Sequence, residues 1–328
     1  MDKEFEIIRE EDYQETMDKK VSPYLMRFRK TGTLATDGAE IYYETYVNPE
    51  EKASIVISHG FCEFCGKYEE VIYYFLKQGY SVFIMEHRGH GRSSRMVEDL
   101  SKIYIETYND YVKDFHRFVT DIVQRESKTG ILVLFAHSMG GAIGALMLEH
   151  YPKLFTCAIL SSPMLEVDIG RYSNRAAWLL FSIASMNRRT KKFAPGERGF
   201  QQEPQFEKSC AMSKPRYMRV FEERKKDTRF QTSGATYAWV AASLKAVRIL
   251  QKNAYRVKIP VLLFQAENDT TVKPGGQNLF AQNSKQTTLV VAKGAKHEIF
   301  NGTDEIIAAY YPRIFSFIEE HRRHDEEK

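Results

Sequence analysis

Ser138 sits in Phe135-Ala136-His137-Ser138-Met139-Gly140-Gly141, where a short apolar run meets a serine with small residues two positions to either side and then a helical pattern. A serine hydroxyl is a weak nucleophile by itself and needs a base within hydrogen-bond reach, which in turn needs an orienting acid. The arrangement reads as a nucleophile elbow, G-x-S-x-G, with Ala136 in place of the first glycine. A sharp strand-to-helix turn lifts the hydroxyl above the sheet, and residues two positions away must be small because strand and helix nearly touch there. The expected order along the chain is serine, acid, histidine. Asp269 follows the run "LLFQAEND" and His297 follows "VVAKGAKH", so Ser138, Asp269 and His297 form the expected catalytic set. Glu267 and Asp304 are the competing acids.

An acyl-transfer site also needs donors for the oxyanion. In this topology one is the N–H of the residue after the nucleophile and the other comes from a loop after an early strand. Met139 and Phe61 fill those places. Ser58-His59-Gly60-Phe61 leads into Cys62 and Cys65, a Cys-x-x-Cys pair that alone suggests redox or zinc chemistry. Cys157 and Cys210 stand apart and no His-x₃₋₅-His completes a zinc site, so no metal or cofactor is expected. A reversible disulfide between Cys62 and Cys65 that disturbs the oxyanion loop remains a hypothesis. His59, Gly60, Cys62 and His137, with Trp178 farther on, are expected to line the substrate site.

The elements that must position these residues are legible as an alternation. Thr33–Val47 reads as a hairpin around Asp37-Gly38. Strand-like runs Ala53–Gly60, Ser81–Gly91, Ile131–Ser138 and Phe155–Pro163 alternate with helical patterns over Glu69–Gln78, Tyr108–Glu126 and the stretch up to Tyr151. The rhythm resumes with a helix over Thr236–Asn253, a strand before Asp269, a helix over Gly276–Asn283, a strand before His297 and a helix over Ile306–His321. Continuous apolar strands between helices predict an α/β fold, a mostly parallel sheet covered on both faces. Residues 164–233 break the pattern and read as a helical cap inserted after the strand ending near Pro163, with 1–163 and 234–328 as the core.

The chain has 328 residues, 43% hydrophobic and 27% charged, with a net charge of +4. Nothing in that balance points to nucleic acid. The charged N-terminus is no signal peptide, and no apolar run reaches the roughly 17–20 residues that span a bilayer, so a cytoplasmic location is expected. Charge is uneven: residues 164–233 hold 15 Lys+Arg against 8 Asp+Glu. Within them Arg175–Lys192 joins an apolar stretch, Ala176–Met186, to four basic residues. As a helix it can pack over the site, lie at an anionic membrane surface on the inner face of the cell membrane, or do both. His116 and Asp121, at a spacing used by glycerolipid acyltransferases, fall mid-helix on different faces and are set aside. The first thirty residues, acidic then basic, suggest no role.

Together, "SHGFCEFCGKYEE", "MEHRGHGRSS", "AHSMGG", "LLFQAEND" and "KGAKHEIF" resemble the α/β-hydrolase superfamily, and within it the bacterial lysophospholipase and monoacylglycerol lipase group. The resemblance implies a cap over the site, no metal, a monoacyl lipid ester as substrate and no obligate protein partner. Glu86 departs from the group's usual Asp. A small-ester esterase, an aminopeptidase and a non-catalytic binding module are the alternatives. An aminopeptidase would need acidic groups near the site to hold a substrate amine, against the positive charge of the insertion.

Overall fold

The structure, a computed structural model, describes residues 5–167, 181 and 189–326. Eight strands form one sheet in the order β1-β2-β4-β3-β6-β7-β9-β10. These are β1 (Arg29–Thr36), β2 (Ala39–Tyr46), β3 (Ser54–Ser58), β4 (Ser81–Met85), β6 (Leu132–His137), β7 (Cys157–Ser161), β9 (Val261–Ala266) and β10 (Thr287–Ala292). β1 and β2 pair antiparallel through the Asp37-Gly38 turn, where Gly38 takes φ +74°. β2 is antiparallel to β4, and every other pairing is parallel. Two-residue strands β5 (Lys102–Ile103) and β8 (Gly234–Ala235) pair separately and tie the end of the insertion to the core.

The strands are buried on both faces, which is why they read as continuous apolar runs. Val56, Phe83, Leu134 and Leu263 point to a core shared with helices Tyr108–Phe118, Ser138–His150 and Tyr237–Asn253. Their neighbours Ile55, Ile84, Val133 and Phe264 point to the opposite core, under helices Glu69–Lys77 and Asp304–Glu326. The Ser81–Gly91 run leaves the sheet at Met85 because Gly89 and Gly91 take positive φ and Glu86 turns its carboxylate inward.

The N-terminal residues form a helical strap on the second core. Tyr13–Thr16, a π-helical Met17–Val21 and Ser22–Met26 run on without a break. Tyr13, Met17, Val21 and Leu25 are all buried. Spacing of four residues drifts around a regular α-helix, and the wider π turn keeps this stripe facing the core.

In the insertion, Lys214–Lys226 form an α-helix, and 189–213 are mostly turns and irregular backbone. Trp178 and most of the apolar stretch Ala176–Met186 lie outside the described residues. Helix Lys214–Lys226 is anchored by Arg216, which is 1% exposed. Its guanidinium meets both Glu70 carboxylate oxygens at 2.9 Å and donates to the Ile8 carbonyl at 2.7 Å. One side chain thus joins insertion, core and strap. Replacing Arg216 with Met leaves Glu70 buried without its cation and should cost about 3–5 kcal/mol, read as a lower Tm. An unchanged Tm would contradict this anchoring.

Glu149, near the end of helix Ser138–His150, is buried, and neither carboxylate oxygen has a hydrogen-bond partner among the described residues. Burial pushes its carboxyl up from 4.5 to about 8, against the opposing pull of Arg256. Through that window the folded chain keeps a proton that the unfolded chain has released, so stability falls as pH rises. Glu149→Gln should therefore gain Tm over the wild type at pH 9, with the gap shrinking toward pH 5. A gap independent of pH would contradict the assignment.

Candidate active site

Strand β6 ends at His137 and the helix begins at Ser138, with φ +52° at the serine. A non-glycine residue held there is strained, and the surroundings show what holds it. A Cβ on Gly140 would meet the Ser58 carbonyl oxygen at 2.1 Å and that of His59 at 2.4 Å, so the helix start lies directly against the loop after β3. A Cβ on Gly141 would meet Pro163 at 2.5 Å. The Ala136 substitution has its own accommodation: the facing residue is Gly144, whose Cβ would lie 3.1 Å from that of Ala136.

His297 brings its Nε2 to 2.8 Å from Ser138 Oγ and its Nδ1 to 2.7 Å from Asp269 Oδ2. With Nδ1–H donating to the carboxylate, Nε2 is the free base that accepts the serine proton. Asp269 Oδ1 accepts from the N–H groups of Thr271 and Val272 at 2.8 and 3.1 Å. Burial raises the Asp269 carboxyl, but the His297 hydrogen bond and charge and those two N–H groups outweigh it, so it stays ionised below the usual carboxylate range. The competing acids go elsewhere. Glu267 accepts from the Gly294 N–H at 2.7 Å and, with the Asn268 N–H on the Ala295 carbonyl, clamps the His297 loop to the Asp269 turn. Asp304 caps Glu10 and meets Arg216.

The N–H groups of Phe61 and Met139 have no acceptor among the described residues, on a loop and a helix start packed together beside Ser138. That is the disposition an oxyanion hole needs. Phe61 also packs on Trp239, with ring centroids 4.4 Å apart.

Three residues expected to line the substrate site instead support it from behind. His59 is fully buried, its Nδ1 donating to the Gly60 carbonyl at 2.8 Å and its Nε2 accepting from the His87 N–H at 2.9 Å. His137 is buried, and its Nδ1 donates to the Ser161 carbonyl at 3.0 Å. Gly60 is required because a Cβ would press on the Glu63 carboxylate at 2.9 Å, and its N–H is already donated to Glu63 at 2.6 Å. All three belong to the scaffold because their polar atoms are spent on neighbouring loops. Burial pushes His137 down to about 4, against the pull of Glu63. It is thus neutral beside His297, whose ring centroid is 4.8 Å away, and adds no second positive charge when His297 takes a proton.

Cys62 and Cys65 are free thiols. Burial pushes the Cys62 thiol up to about 12 and raises that of Cys65 well above the ordinary thiol range. Protonated thiols react slowly with oxidants, which weighs against the disulfide hypothesis. Cys65 matters through its backbone, whose N–H donates to Glu86 at 3.1 Å. Glu86 also takes the Arg92 guanidinium at 2.7 Å. The Asp-to-Glu departure thus falls on the residue that ties the oxyanion loop to the Arg88–Ser94 segment.

Sequence reasoning missed one buried charge network. Glu63 accepts from Tyr68 at 2.6 Å and from Lys67 at 2.7 Å, and Lys67 reaches Glu298 at 2.8 Å. Burial raises Glu63, but Lys67 and its hydrogen bonds overcome it, and the carboxyl is held well below the ordinary range. This chain of ions runs from the oxyanion loop to the residue beside His297. The only advance sign of it was the "E…KY" spacing.

A mostly parallel sheet, a serine held at positive φ between strand and helix, and a histidine and carboxylate delivered by the last two strands define an α/β hydrolase of the serine type. The chain belongs to the family described as serine aminopeptidase, S33, whose model matches residues 49–304. It is 30% identical over 274 residues to lysophospholipase L2 of Escherichia coli (strain K12), covering 81% of this chain and 80% of that protein. A monoglyceride lipase homolog of monkeypox virus is 28% identical over 270 residues, covering 81% and 89%. Among solved structures, a carboxyl esterase from Bacillus coagulans superposes with a TM-score of 0.71 at 18% identity, over 90% of this chain and 99% of that one. A monoacylglycerol lipase from Paleococcus ferrophilus gives 0.66 at 20%, over 86% and 99%. The two structures establish the fold; the sequence relatives fall in the group that the motifs resembled.

Proposed function

We propose that this chain hydrolyses the acyl ester of monoacyl lipids, and that lysophospholipids are its main substrates. The observation that carries the mechanism is the unbroken relay from Ser138 through His297 to Asp269, with contacts of 2.8 and 2.7 Å, at a serine held at φ +52°. Ser138 Oγ attacks the ester carbonyl carbon while His297 Nε2 takes its proton. The N–H groups of Phe61 and Met139 hold the oxyanion. As the intermediate collapses, the C–O bond breaks and His297 returns the proton to the leaving alcohol. Water, deprotonated by His297, then attacks the acyl carbon; the bond from that carbon to Ser138 Oγ breaks, His297 returns the proton to Oγ and the fatty acid leaves.

The relatives named lysophospholipase and monoglyceride lipase support a monoacyl lipid. The excess of 15 basic over 8 acidic residues in 164–233 favours a phosphate-bearing headgroup over the amine of an aminopeptidase substrate. A monoacylglycerol lipase, or a broader carboxylesterase, is the second reading on the same relay. No helix among the described residues is long and apolar enough to cross a membrane. Access to lipid is proposed through peripheral contact of the basic insertion with the inner face of the cell membrane, by an enzyme resident in the cytoplasm.

The test is fatty-acid release from lysophosphatidylcholine and from monoacylglycerol of equal chain length. Preference for the lysophospholipid supports the first reading and preference for monoacylglycerol the second. Turnover of short esters only would overturn both.

A further inference from the structure

Two guanidinium groups stand beside the oxyanion loop without a carboxylate. Arg95 donates to the carbonyls of Gly89, Leu100 and Arg229, the last two at 3.0 Å. Its Nε is buried with no hydrogen-bond partner among the described residues. Arg224, on helix Lys214–Lys226, donates Nε to the Phe230 carbonyl at 3.0 Å and a terminal nitrogen to the Thr232 carbonyl. Both cations therefore clamp one short turn, 229–232. Neither makes an ion pair among the described residues, whereas Arg29, Arg88, Arg92, Arg216 and Arg219 each have a carboxylate within 4.0 Å.

The clamped turn lies on the residues that follow Phe61. Phe230 stacks on Phe64 at 4.2 Å between centroids, and the Cys62 thiol faces Thr232 with both arginines acting on it. Burial lowers the pKa of each guanidinium, Cys62 being the first group that opposes it in both cases. More distant Glu63, Glu86 and Glu298 are already paired with Lys67 or Arg92. Glu197 also acts on Cys62, but its carboxylate accepts from the Ala235 N–H and burial raises it toward the neutral form. Arg224 also lies over the Phe200 ring, 4.7 Å from its centroid, but neither half-buried positive charge has a carboxylate partner among the described residues, one residue beyond an oxyanion donor. Carbonyl partners satisfy N–H groups without cancelling charge, so a dianionic or monoanionic ligand gains from both.

We propose that Arg95 and Arg224 form an anion subsite that receives the phosphate of the substrate's leaving alcohol. This rests on the monoacyl-lipid reading above and supplies its headgroup selectivity. The subsite is specific for phosphate chemistry, whether on a lysophospholipid or free in solution.

The experiment compares kcat/KM on lysophosphatidylglycerol and on monoacylglycerol of equal chain length for the wild type, Arg224→Gln, Arg95→Gln and Arg224→Lys. The ratio of the two values should fall about 10–100-fold in either Gln variant, and much of it should return in Arg224→Lys, which keeps the charge. A second arm uses the wild type alone, so it stands even if the variants misfold. Glycerol 3-phosphate should inhibit monoacylglycerol hydrolysis competitively where glycerol does not, and inorganic phosphate should inhibit more weakly. An unchanged ratio in folded variants, or no difference between glycerol 3-phosphate and glycerol, would overturn the subsite while leaving the lipase reading standing. Absence of turnover on both lipids in the wild type would instead remove the parent reading.

Discussion

Ser138→Ala should lower kcat for fatty-acid release by about 10⁴–10⁶-fold. The expectation follows from what the hydroxyl touches: among the described residues Ser138 Oγ hydrogen-bonds only to His297 Nε2, so removing it deletes the nucleophile and little else. Alanine accepts the φ of +52° no worse than serine does, so Tm should hold within a few degrees. Any residual rate would come from the Phe61 and Met139 N–H groups and from substrate positioning. A fall of less than about 100-fold, in a variant whose Tm is unchanged, would mean that the acyl group is carried elsewhere.

Asp269→Asn should lower kcat by about 10³–10⁴-fold. An amide can offer its NH₂ to His297 Nδ1 and so turn the ring to the wrong tautomer, with the proton on Nε2 facing the serine. It also removes the negative charge that stabilises the imidazolium formed in each step. Glu267→Gln is the matched control, because the Gln carbonyl can still accept from the Gly294 N–H that Glu267 now holds. Its rate should stay within about threefold of wild type, the range expected when a neutral hydrogen bond replaces a charged one at the surface. The opposite pattern, with Glu267→Gln crippled and Asp269→Asn active, would reassign the acid.

The sequence was most informative where several local rules agreed. The elbow, the chain order of serine, acid and histidine, and the alternation of apolar strands with helices all describe one topology, and each is a constraint on nearest neighbours. It was less informative about which side of a loop a residue faces. His59 and His137 adjoin the site in the chain, but strand geometry and loop hydrogen bonds turn them inward, and nothing in their spacing says so. The chain order favoured Asp269 over the competing Glu267 and Asp304, and the three-dimensional approach of the β9 and β10 loops separates them. The strap was missed because its apolar residues are scattered among charges. The spacing of Tyr13, Met17, Val21 and Leu25 at every fourth residue was the available signal. The unmatched state of Arg95 and Arg224 was equally hidden, since an arginine's partner is usually remote in sequence.

The central claim is that Ser138 is the nucleophile, and covalent capture tests it most directly. The wild type would be treated with a fluorophosphonate probe, weighed intact and mapped by peptide mass spectrometry, beside Ser138→Ala and His297→Ala. The account predicts one adduct per chain on the peptide carrying Ser138, none in Ser138→Ala and strongly slowed labelling in His297→Ala. Labelling that persists in Ser138→Ala, or an adduct mapped to another residue, would contradict it.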